Sequence, residues 1–263
     1  MTTSPADLAE RDALERLSRV NGAASLQAAV LALVMNTDSE RAQQAWMFET
    51  GSLAIAGDVR SDVLSLSGAT RLPCLEALLD RVHVLPQAER RALLQATRRI
   101  VAAQGPVQPL DRLHWLLMRR KLGDKPPLPA LPAGQNDMAQ LPLATLQQVA
   151  AVTAFLSRLV PTRDGKRGAV WYSAVMGRFM PQSSIPPCEP PDSDALVHAL
   201  QVLETMPWML RPVLVRAWVE AALLTAQRAR LAPPSADALR LAAGLLDSPL
   251  PPELARHYRE LGW

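Results

Sequence analysis

Residues 72–122, LPCLEALLDRVHVLPQAERRALLQATRRIVAAQGPVQPLDRLHWLLMRRKL, decide the fold class. Leu75, Leu78, Leu79, Val82 and Leu85 step at i, i+3, i+4, i+7 and i+10, which places them on one face of an α-helix. Pro86 fits the first position of a second helix, where its missing N–H costs little. That helix carries Leu93, Ala96, Ile100 and Ala103 on one stripe and stops at Gly105-Pro106. Leu110, Leu113 and Leu117 mark a third helix. Arg119, Arg120 and Lys121 close it with positive charge, which suits a helix C-terminus.

The same succession returns over residues 196–254. Leu196, Leu200, Leu203 and Met206 again make an apolar stripe. Pro207 follows Pro86 by 121 residues, and Gln227 follows Gln104 by 123. Ser235 is the expected N-cap of a third helix bearing Leu239, Ala242 and Leu246. The exit Pro249-Leu250-Pro251-Pro252 echoes Pro126-Pro127-Leu128-Pro129. The expectation is an all-α chain of two tandem helical bundles related by internal duplication, with repeats at 72–131 and 196–254. The N-terminal half covers 1–123, a proline-rich linker 124–142, and the C-terminal half 143–263; residues 181–191 form a second proline-rich connection.

Elsewhere, Ala6–Val20, Ala24–Met35, Leu143–Val160 and Val170–Met180 read as helices. Thr37 and Glu40 fit a capping box at the start of another, which runs to about Thr50. Asp58–Ser67 fits either a short helix or a loop.

Composition supports this class. A chain of 263 residues buries a core without staples, and Ala and Leu, both strong helix formers, dominate its 49% hydrophobic content. Cys74 and Cys188 form no Cys-x-x-Cys pair, so a reduced, cytoplasmic setting is expected. The N-terminus is polar and acidic and does not read as a leader. The apolar windows Leu26–Met35 and Leu146–Val160 are too short to span a bilayer. Pro207–Ala226 is interrupted by Arg211, Arg216 and Glu220, so no membrane insertion is expected.

No arrangement in the sequence asks for catalysis. His83, His114, His198 and His257 form no i, i+4 pair and no His-Glu-x-x-His motif. There is no Gly-x-Ser-x-Gly elbow and no phosphate-cradling glycine loop. Nothing basic adjoins Cys188 to activate it. Accordingly no catalytic residue, metal ligand or cofactor is expected. Charge is the more informative feature. From Arg71 to Lys125 there are 11 Lys/Arg against 5 Asp/Glu, a local balance of +6. Arg90, Arg91, Arg98, Arg99, Arg119, Arg120 and Lys121 supply most of it and make up the expected partner-binding face. No aromatic interleaves the run Arg90–Arg99, so the expected partner is a protein rather than nucleic acid. The sequence fixes no oligomeric state.

The run Arg71-Leu72-Pro73-Cys74-Leu75-Glu76, the helix to Leu85-Pro86, then Ile100–Gly105 and Leu110–Leu117 resemble the C-terminal helical region of HtpX-type bacterial membrane zinc metallopeptidases. Leu246–Pro252 is similar to the close of that region, and Leu26–Gln44 and Leu143–Met180 are similar in order. That region in turn is similar to TerB-like helical domains, whose helix break often carries Asp-Gly and a later acidic residue. Here the breaks read Gln104-Gly105 and Gln227-Arg228. The resemblance implies a TerB-like fold and an accessory or regulatory domain on the cytoplasmic side, with a membrane-associated protein as partner. The zinc motif and membrane helices of the peptidase are missing from this sequence, so no catalytic residue carries over. A second reading is a divalent-metal or small-ligand sensor built on the two breaks with Asp111 and Asp237. Gln in place of Asp supplies no charge for it.

Overall fold

The computed structural model describes residues 4–51, 53–123, 137–162 and 164–263; most of the expected proline-rich linker lies outside them. Among the described residues there are thirteen α-helices and two 3-10 turns, with no strand. None of these helices is long and apolar enough to cross a membrane. The chain divides into two compact units, Met1–Asp124 with Tyr258–Trp263, and Lys125–His257.

The first unit holds α1 (Pro5–Arg19), α2 (Ala23–Val34), α3 (Glu40–Thr50), α4 (Ala56–Leu64), α5 (Gly68–His83), α6 (Gln87–Ala103) and α7 (Pro109–Leu122). Its centre is α2, where Leu26 and every residue from Ala28 to Val34 are buried. A helix apolar all round has to be surrounded, and α3, α4, α5 and α6 all pack on it. The segment 58–67, ambiguous in sequence, is mostly the helix α4. The cap of α3 is Ser39, whose hydroxyl accepts from the Ala42 N–H at 3.2 Å, so the helix starts two residues later than a Thr37 cap requires.

In α5, Pro73 lies inside the helix. Proline has no N–H, so the carbonyl four residues back, that of Ala69, loses its usual helical donor. The backbone N–H of Arg259 donates to it at 3.0 Å instead. The Arg259 guanidinium also stands 3.7 Å from buried Glu10. These contacts hold the last residues of the chain in the first unit.

The second unit holds α8 (Leu143–Leu156), α9 (Gly165–Met176), α10 (Ser193–Glu204), α11 (Leu210–Ala226), α12 (Pro233–Leu245) and α13 (Pro252–Ala255), with 3-10 turns at Met138–Gln140 and Gln182–Ser184. Trp171 and Trp218 are fully buried at its core. The Trp171 indole N–H donates to the Trp218 carbonyl at 3.0 Å, and the Trp218 N–H to the Thr153 hydroxyl at 3.0 Å. Both indole donors are thereby satisfied away from water. Ser235, expected as an N-cap, sits within the first turn of α12. Its hydroxyl lies 2.7 and 2.8 Å from the carbonyls of Leu159 and Pro161, so it ties helix to loop rather than capping.

Part of the order of helix contacts is common to the two units, although the packing of α2 on α6 and α5 on α7 in the first has no counterpart of like extent between α8 and α11 or α10 and α12 in the second. In the first, α2 packs on α3 and α5, α3 on α6, and α6 on α7. In the second, α8 packs on α9 and α10, α9 on α11, and α11 on α12. The stripes read from sequence face inward in both: Leu75, Leu78, Leu79 and Val82 on α5 are buried with Leu85 half-buried just after it, and Leu196, Leu200 and Leu203 on α10 are buried with Met206 just after it. An arginine four residues after the proline does the same job twice. Arg90 donates to the Leu122 carbonyl at 3.1 Å, and Arg211 to the Leu246 carbonyl at 3.0 Å. Each places positive charge on a carbonyl at the C-terminal end of a helix, α7 in the first unit and α12 in the second. The two glutamines do not match in this way. Gln104 caps α6 in an ordinary right-handed conformation and Gly105 takes the positive φ of 103°, whereas Gln227 itself is left-handed at φ 51°.

Candidate functional site

Helix α6 buries Leu93, Ala96, Thr97 and Ile100 and turns its other side outward. Helix α7 buries Leu113, Leu116, Leu117, Met118 and Leu122. Between them lies a groove of about 370 Å³ lined by Gln87, Arg91, Leu94, Gln95 and Arg98 of α6, and by Trp115, Arg119, Leu122 and Gly123 at the end of α7. The Arg98 guanidinium carbon stands over the Trp115 ring, 4.7 Å from its centroid. This is the range of a cation–π contact, and it props the charge at the groove surface. Among the described residues no carboxylate lines it.

The seven basic residues picked from sequence have two destinations. Arg91, Arg98 and Arg119 come together in the groove. Arg90, Arg99 and Lys121 brace the unit. Arg90 bonds the Leu122 carbonyl. Arg99 makes two bonds to Glu49 of α3, at 2.5 and 2.8 Å. Lys121 pairs with Asp80 of α5. Arg120 is half-buried on α7. Trp115, set among core Leu113, Leu116 and Leu117, is half-buried and forms part of the groove. The signal that finds it is spacing, because Trp115, Arg119 and Leu122 share a stripe facing Gln87, Arg91, Leu94 and Arg98.

Beside Trp115, burial pushes His114 down to about 4 from its ordinary 6.5, helped by the charge of Arg71 and opposed by a hydrogen bond to the Leu110 carbonyl. Between those pH values the unfolded chain takes up a proton that the folded unit refuses. The neutral ring's contribution is therefore complete above pH 6.5 and is lost as pH falls toward 4, by on the order of 3 kcal/mol. His257 is also lowered, first by burial and then by Arg230 and Arg256, and gives a slope of the same sign. The expected result is that His114→Gln flattens, without abolishing, the fall in denaturation midpoint between pH 6.5 and 4.5. An unchanged slope would contradict a buried neutral His114.

The residues of the sensor reading have other engagements. Gln104 accepts a hydrogen bond from the Asn36 N–H, and Gln227 is exposed. The Asp111 carboxylate accepts from the Gln108 N–H at 3.0 Å at the start of α7. Asp237 is half-buried on α12. Among the described residues no group of three or more His, Cys, Asp or Glu side chains is placed to hold a metal ion. Burial pushes the Cys74 thiol up to about 12, which leaves it unreactive at neutral pH. Cys188 sits 3.4 Å from the Ser157 hydroxyl.

No family model matches this chain, and neither a curated protein nor a solved structure does. What the groove can do follows from its side chains. Three guanidiniums and an indole favour an anionic, partly apolar ligand. Arginine offers planar, bidentate donors for carboxylates, and the tryptophan offers apolar area at low entropic cost. A second groove, of about 540 Å³, lies between α3 and α4 and is mainly apolar; Trp46, Met47 and Leu64 line it, and Arg60 is its one charged residue.

Proposed function

We propose that this chain is a non-enzymatic protein-interaction or regulatory module, and that its first unit binds an acidic segment of another protein in the α6–α7 groove. The observation that carries this is the gathering of Arg91, Arg98 and Arg119 around the Trp115 ring in one groove.

The two units are read as duplicated TerB-like bundles. Supporting this are the common part of the order of helix contacts, the paired roles of Arg90 and Arg211, and the matching buried stripes. The resemblance to the helical region of HtpX-type peptidases makes a membrane-associated protease the first partner to test, with this chain acting beside it in the cytoplasm.

The test is affinity capture at low salt with wild type and with Arg91→Glu/Arg98→Glu/Arg119→Glu. A partner held by wild type is expected to lose at least tenfold in affinity to the triple variant, since each reversal replaces an attraction by a repulsion. Retention unchanged by the three reversals would end the proposal.

A further inference from the structure

We infer that the groove between α3 and α4 is a binding site of its own for a small amphiphilic anion: a carboxylate carried on an unbranched hydrocarbon chain, as in a medium-chain fatty acid. This site is independent of the α6–α7 groove and goes beyond the partner reading above.

The groove follows from how the two helices are held. Both pack on α2, yet they make little contact with each other. Helix α4 buries Val59, Asp62 and Val63. Its Ala56, Gly57, Arg60, Ser61 and Leu64, which share another face at steps of three and four, line the groove. Small residues there leave the space, and a Cβ added at Gly57 would meet nothing within 4 Å. Helix α3 contributes Trp46, Met47 and Thr50. Trp46 is buried, and its indole N–H donates to the Ala28 carbonyl at 3.1 Å, which fixes the ring as part of the groove wall. The Thr50 hydroxyl is spent on the Trp46 carbonyl, to which it donates at 2.8 Å. Met47 and Leu64 are half exposed at the rim. A mainly apolar groove of about 540 Å³ has the size and character of a small-molecule site.

Charge then selects the ligand. Arg60 is the one charged residue among the lining residues, and its guanidinium carbon stands over the Trp46 ring, 5.8 Å from the centroid. The Arg60 Nε is buried, and among the described residues no acceptor meets it. Buried donors in folded proteins are almost always matched, so this one is suited to an acceptor that a ligand brings. The acids next to the lining residues in sequence are engaged elsewhere. Glu49 takes both bonds from Arg99. Asp62 pairs with Arg16 at 2.6 Å, and Asp58 adds its field to that same arginine. A carboxylate offers paired oxygens that match the planar donors of a guanidinium. A hydrocarbon chain behind it covers Trp46, Met47, Leu53 and Leu64 and is removed from water in doing so. One cation in an apolar wall fits a singly charged head rather than a doubly charged phosphate.

The test is titration calorimetry on the full chain with four probes: octanoate, octanol as the chain without the charge, acetate as the charge without the chain, and octyl phosphate. Wild type is compared with Arg60→Met, which keeps an apolar stem and removes the charge, and with Gly57→Leu, which fills the groove and leaves Arg60 in place. Circular dichroism checks that both variants fold. The expected result is that octanoate binds wild type at least tenfold more tightly than octanol or acetate, and more tightly than octyl phosphate. Arg60→Met should bring octanoate down to the level of octanol, and Gly57→Leu should weaken octanoate and octanol alike by at least tenfold. Absence of octanoate binding, or octanoate binding that either variant leaves unchanged, would overturn the proposal. Octanol binding as tightly as octanoate would make the groove a purely apolar surface, and octyl phosphate binding more tightly would make it a phosphate site; either result would also overturn it. None of these outcomes bears on the α6–α7 groove, whose test uses Arg91, Arg98 and Arg119.

Discussion

Gly168→Ala is expected to destabilise the second unit by about 3 kcal/mol, near the upper end of what overpacking one methyl group costs. Gly168 is buried on α9 where that helix crosses the end of α8. A Cβ built there would stand 2.1 Å from the Ser157 carbonyl oxygen and 3.0 Å from its carbonyl carbon. These are backbone atoms, so no side-chain rotation relieves the clash and the two helices must separate. Separation would also disturb the packing around Trp171, three residues further along α9. Gly165→Ala is the internal control. It lies on the same helix, its added Cβ meets nothing within 4 Å, and alanine there is expected to stabilise by up to about 1 kcal/mol. Urea denaturation of the two variants reads the difference. Equal midpoints would mean that the close crossing of α8 and α9 does not exist in solution.

Trp218→Ala is expected to cost about 4 kcal/mol, in the range for deleting a fully buried tryptophan. The side chain is 0% exposed on α11, and its N–H supplies the donor that the Thr153 hydroxyl accepts. Thr153 in turn donates to the Val149 carbonyl at 2.7 Å. Truncation therefore opens a cavity and breaks the link between α11 and α8 together. Trp218→Phe separates the two effects. It keeps most of the volume and loses the donor with part of the ring system, so it should cost clearly less than the alanine variant, with about 1 kcal/mol of its loss coming from the hydrogen bond. If the phenylalanine variant were as unstable as the alanine variant, the polar link would dominate the core, contrary to the packing described.

The parts of the fold that were legible in the sequence are those set by local periodicity. The stripe on α5 and its echo on α10 face inward because an apolar i, i+3, i+4, i+7 pattern has one face to bury. The stop at Gly105 was legible because few other residues accept φ near 100°. What escaped depends on partners distant in sequence. Ser235 looks like a cap until the Leu159–Pro161 loop comes to meet it, 74 to 76 residues earlier in the chain. Nothing near Pro73 in the sequence shows how a helix could run through it; the donor its missing N–H leaves wanting comes from Arg259, across the fold. The basic face was legible as composition but not as geometry. Arg99 and Lys121 are indistinguishable in the sequence from Arg98 and Arg119, and only Glu49 and Asp80, from other helices, remove them from the groove. Trp115 was hidden for a related reason: its neighbours Leu113, Leu116 and Leu117 are core, and a position within a helix does not by itself say which side is covered.

The central claim is that a partner protein docks in the groove between α6 and α7. Hydrogen–deuterium exchange of the full chain, with and without the captured partner, tests it most directly. The account predicts slowed exchange concentrated in residues 87–98 and 115–123, and loss of that protection in Arg91→Glu/Arg98→Glu/Arg119→Glu. Protection confined instead to the α3–α4 groove or to the second unit, with residues 87–98 and 115–123 exchanging as in the free chain, would contradict it.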